Sequence, residues 1–135
     1  MNSTPEIQIL FYQNLGKLFY AIAAADKAIR IEEVEKLKQI VNMEWLNLGG
    51  VKDKLEIDAM REIKIIFNQL AAQTQNPNDS MADFKLFKKA HESLFTEDVK
   101  QLIWKTASAI TTSFSGRNKS ELIMLTELGI ILKSK

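Results

Sequence analysis

Asp26, Glu32 and Glu33 crowd three carboxylates into residues 26–33 of this 135-residue chain. Carboxylate oxygens are the donors that hard divalent cations such as calcium take. Glu121, at the start of the last helical stretch, is a further candidate oxygen donor. The four acids Asp26, Glu33, Glu32 and Glu121 are therefore the candidate metal ligands, for calcium or another divalent cation. Calcium wants about six to eight oxygens, however, and this segment has no aspartate-rich loop to supply them. The same acids also have ordinary structural roles. Asp26 stands at the C-terminal end of a helical run, where the negative helix end costs a carboxylate about 0.3–1 kcal/mol. Lys27, Arg30 or capping of the next helix would offset that cost. A cation site and a set of local salt bridges and caps both account for these residues.

A second group of residues could hold an anion. Residues 84–135 carry nine Lys and Arg against five Asp and Glu, whereas residues 32–62 are rich in acids. Arg117, Lys119 and Lys105 are candidate ligand or partner contacts. The helix start at residues 118–121 would add backbone N–H donors. Glu121 counts against this, because its charge repels an anion. The reading that follows is a small enzyme or binding protein for an acidic or phosphorylated ligand.

Other chemistries lack their equipment. There is no cysteine, hence no thiolate nucleophile, thiolate metal site or disulfide. His91 is the single histidine, and its sequence neighbour Glu92 does not share its helix face. A structural His91, at the surface or half-buried, is expected, not a triad member. No glycine-rich phosphate loop occurs. The pairs Glu32-Glu33 and Glu97-Asp98 fall at helix starts, where the helix dipole explains them. No catalytic constellation is visible, and a non-enzymatic protein is expected. The formal net charge of +1 argues against a dedicated nucleic-acid binder. No basic segment precedes an apolar run at the N-terminus, and no apolar run reaches the roughly 20 residues of a membrane span. The absence of cysteine is compatible with a cytoplasmic location. Phe84-Lys85-Leu86-Phe87-Lys88-Lys89 with Phe95 could form a membrane-surface helix. Alternatively, Phe84 and Phe87 face a core and the lysines are solvated.

The elements that must position these residues are helices. Apolar residues recur every three or four positions in about six runs, and none alternates with period two. Thr4-Pro5-Glu6 opens the first run, with Ile7, Leu10, Phe11, Leu15, Leu18, Phe19 and Ile22 on one face. Val34, Leu37, Val41, Trp45 and Leu48 stripe the second, which Gly49-Gly50 ends. The third spans about residues 54–73. Residues 74–79 read as a loop, with Ser80 and Asp83 as a capping box for the fourth helix. Phe84, Phe87, Ala90 and Leu94 are its inward face. Thr96 caps the fifth, and residues 118–121 cap the sixth, which carries Leu122, Leu125, Leu128 and Leu132. The expectation is an all-α single domain, a compact bundle of about six helices. Trp45 and Trp104 occupy core-compatible positions, and either could instead anchor an interface.

Two helix–break–helix units also resemble each other. Ala21-Ile22, Glu33-Val34, Leu37 and Ile40 align without gaps on Ala109-Ile110, Glu121-Leu122, Leu125 and Leu128. Duplication would make the bundle pseudo-twofold.

Residues 18–41, LFYAIAAADKAIRIEEVEKLKQIV, resemble the signature of the TerB-like (tellurite-resistance) helical family. Asp26 stands at its aspartate, Ile29 at its turn hydrophobe and Glu33 at its glutamate. Residues 107–132 resemble its second copy. Lys27 replaces the usual glycine, and Phe114 or Ser115 stands where the second aspartate would be. The resemblance implies a compact helical bundle in a bacterial cytoplasm, linked to tellurite resistance and stress response. It also implies an unidentified protein partner, membrane-bound for some relatives, and calcium on the acidic residues.

Overall fold

The computed structural model describes residues 5–25, 35–37, 39–40, 59–73, 75–113 and 119–133. The described residues are all-α. Helix α1 spans Pro5–Ala23, α3 Ala59–Gln73, α4 Pro77–Ala90, α5 Glu97–Ser113 and α6 Lys119–Lys133. Residues 35–37 and 39–40 are also helical and constitute α2. A single 3-10 turn, Glu92–Leu94, links α4 to α5. No strand occurs among the described residues. Of these helices, none is long and apolar enough to cross a membrane.

Helix α1 is the central element. Leu15, Leu18, Phe19, Ala21 and Ile22 are each fully buried on it. Asn14 donates its side-chain amide to the Leu10 carbonyl at 2.9 Å, so a polar residue enters the core with a partner. Gly16 lies against Ile63 and Ile66, and Tyr20 packs edge-on against Phe67. Both residue numbers rise together, so α1 and α3 run parallel. Phe11 meets Phe87, and Lys17 pairs with Asp83 at 3.3 Å. Those numbers run in opposite senses, so α4 is antiparallel to α1. The Tyr20 hydroxyl donates to the Gln75 carbonyl at 2.5 Å and ties the short α3–α4 connection to α1.

Gly16 sets the approach of α1 to α3. A Cβ built there would stand 2.8 Å from the Ile63 carbonyl oxygen and 3.0 Å from the Ile66 Cβ. A backbone oxygen cannot rotate away as a flexible side chain can. Gly16→Ala gains about 1 kcal/mol of helix propensity, and the forced separation of two packed helices costs about 1–3 kcal/mol. A net loss of up to about 2 kcal/mol is expected in urea unfolding. A variant more stable than wild type would show that α1 and α3 do not touch here.

The start of α4 corrects the expectation built on Ser80. Asn76 is the N-cap: its side-chain oxygen accepts from the Asn78 N–H at 2.8 Å, and Pro77 follows at the first helical position. Ser80 is instead buried inside the helix, and Asp83 reaches Lys17. Thr96 does cap α5, accepting from the Val99 N–H at 3.2 Å. Three residues placed on inward faces are exposed, namely Leu10, Ala90 and Leu122. Leu15, Phe19, Phe84 and Leu128, expected on inward faces, are all buried.

Candidate functional site

Four of the seven residues singled out for binding, Asp26, Glu32, Glu33 and Arg117, lie outside the described residues. Glu121 is described, and its position is unusual. It sits in the first turn of α6, at the head of the stripe continued by Met124, Leu125, Leu128 and Leu132. Only 1% of its surface is exposed. A carboxylate in that place completes a core stripe where an apolar residue would be ordinary. Proximity to the positive end of α6 favours its charge. Among the described residues, no group of three or more His, Asp or Glu is close enough to hold a metal ion.

The two described bases of the anion reading are not brought together. Lys119 is the first residue of α6 and is exposed. Lys105 is exposed on α5, next to Trp104. Trp104 lies over Gly129, where an added Cβ would meet its ring at 3.4 Å. Residues 119 and 129 are separated by a rise of about 15 Å along α6. Lys105 and Lys119 therefore stand at different levels of the bundle.

The cluster of aromatics and bases on α4 divides differently from expectation. Phe84, Phe87 and Phe95 are buried, so these rings belong to the core and not to a membrane-facing surface. Lys85 and Lys89 are exposed, as solvated lysines should be. Lys88 is not: its exposure is 0%. Its ammonium donates to both carboxylate oxygens of Glu92, at 2.9 and 3.0 Å. Sequence reasoning missed this pair, although the i,i+4 spacing of Lys88 and Glu92 was available to it. His91 is half-buried, with its ring 4.6 Å from that of Phe87, and its backbone N–H donates to the Phe87 and Lys88 carbonyls. It acts as the end cap of α4.

The two repeat units bury matching positions. Ile22 and Ile110 are buried, as are Leu37 and Leu125, and Ile40 and Leu128. Glu33, the counterpart of Glu121, is among the residues outside the described set. Comparison of the chain with protein-family models, with curated proteins and with solved structures finds no match in any of the three.

Proposed function

We propose that this chain is a non-enzymatic interaction module of the TerB-like kind, acting in a cytoplasmic stress response by binding a protein partner. The observation that carries this reading is the burial of Glu121 in the first turn of α6. The TerB-like pattern opens its second helix with a glutamate, and here that glutamate is taken out of water. A buried carboxylate has to be compensated by hydrogen bonds or opposite charge. The all-α fold and the matched burial of the two repeat units support the same reading.

In this proposal Asp26, Glu32 and Glu33 join Glu121 in holding a divalent cation that modulates partner binding. Calorimetric titration with calcium, magnesium, manganese and zinc tests it. Wild type is expected to give saturable heat with one of these ions, and Asp26→Asn and Glu121→Gln to lose it. Identical heats from wild type and Asp26→Asn would remove Asp26 from any metal role.

A further inference from the structure

Helix α6 has two opposed faces. Met124, Leu125, Leu128, Ile131 and Leu132 are buried against the bundle. At 100° per residue the opposite side carries Lys119, Leu122, Ile123, Thr126, Ile130 and Lys133. All six are exposed. Ile123 is 59% and Ile130 65% exposed, and these two stand two turns apart on one line. The stripe is about 21 Å long. It has a lysine at each end and no acid along it; Glu127 lies on its flank.

Charge placement says what such a face suits. A second copy laid antiparallel would set Lys119 against Lys133, and one laid parallel would set each lysine against itself. Either pairing repels. A negative counterpart is needed. The shape narrows the choice further. A common way to receive a partner helix is in an apolar groove. Beside α6 the Trp104 ring lies over Gly129 and fills the furrow at that level. What remains is a convex apolar ridge with cationic ends and a half-exposed tryptophan at its edge. Tryptophan and lysine are the side chains that settle at a lipid–water boundary, one by its amphipathic ring and the other by its long stem.

We propose that the outer face of α6 docks the protein on an anionic lipid surface. Ile123 and Ile130 enter the acyl boundary, and Lys119 and Lys133 meet the headgroup phosphates. This goes beyond the interaction-module reading and rests on neither a cation nor a protein partner. Failure of the calorimetric test leaves it intact, and the converse holds.

The test is flotation of the intact chain with vesicles of phosphatidylcholine alone, and with phosphatidylserine added to about one lipid in three. Each lysine near an anionic surface contributes about a factor of five. Wild type should therefore float about tenfold or more better with the anionic vesicles, and salt should release it. Ile123→Glu with Ile130→Glu should abolish flotation, and Lys119→Gln with Lys133→Gln should reduce it to the level of the neutral vesicles. All four side chains are exposed, so melting temperatures should stay near wild type. The lysine variants keep the test valid if the glutamate variants misfold. A wild type that stays with the soluble fraction in both mixtures overturns the proposal. So does a double glutamate variant that floats like wild type. A wild-type dimer that Ile130→Glu converts to monomer would assign the face to a second copy, and also overturns it.

Discussion

Replacing Phe95 with alanine is expected to cost about 3–5 kcal/mol of folding stability, the largest loss from any single substitution considered for this chain. Phe95 lies between the 3-10 turn and α5, outside any helix. Its ring nevertheless meets three others edge-on: Phe11 at 5.5 Å, Phe84 at 5.9 Å and Phe87 at 6.2 Å. These rings come from α1 and α4, so one loop residue joins two helices to the connection that launches α5. The alanine variant would leave a cavity that three rigid rings cannot collapse into. Edge-to-face pairing adds about 0.5–1.5 kcal/mol per pair beyond the area buried. Phe95→Leu keeps much of the volume but loses the three ring pairs, and should cost about 1.5–3 kcal/mol, less than alanine. Urea unfolding distinguishes the two, with the midpoint falling further for alanine and the slope unchanged for leucine. Equal losses below about 1 kcal/mol for both would mean that the ring cluster does not hold this corner.

Breaking the Lys88–Glu92 pair from its two ends is expected to give unequal results. Glu92→Leu takes a carboxylate away from an ammonium that has 0% exposure. Removing one partner of a fully buried pair costs about 3–5 kcal/mol, because the remaining charge keeps its desolvation penalty. The Glu92 side chain is 39% exposed, so solvent screens part of the attraction and the expected loss falls to about 2–3 kcal/mol. Lys88→Met removes the buried charge itself and fills the same channel with an apolar stem. Glu92 can then turn to water. That change should cost less than about 1.5 kcal/mol. Thermal melts of both single variants and of the double variant measure the asymmetry and the coupling. A larger loss for Lys88→Met than for Glu92→Leu would contradict the assignment of Lys88 as the desolvated member.

The helices were legible because their signals are local. Pro5 at a helix start, Thr96 as a cap and the spacing of Leu15, Leu18, Phe19 and Ile22 depend on neighbours within one turn or two. The errors arose where two local signals competed or where the width of a neighbour decided the outcome. Both Asn76-Pro77 and Ser80 to Asp83 have the chemistry of a helix start, and the earlier one wins because nothing breaks the helix between them. Leu10 and Leu122 have the right periodicity and are still exposed, because periodicity marks a stripe without saying how much of it a neighbouring helix covers. Lys88 was read as solvated for the opposite reason. Its stem continues the Phe84 face into the core, and its ammonium donates to the Glu92 carboxylate there. For the candidate site the sequence named the acids at the helix breaks, but not that Glu121 would be withdrawn from solvent. Residue type announces a carboxylate; its depth is set by packing from helices distant in sequence.

The proposed function turns on the chain holding a protein partner. Affinity capture from a lysate of its own cells tests it most directly, with wild type and Asp26→Asn as baits, in calcium and in chelator. A protein enriched by wild type in calcium, and reduced both by chelator and by Asp26→Asn, is the expected result. No protein enriched above a tag-only bait under either condition would contradict it.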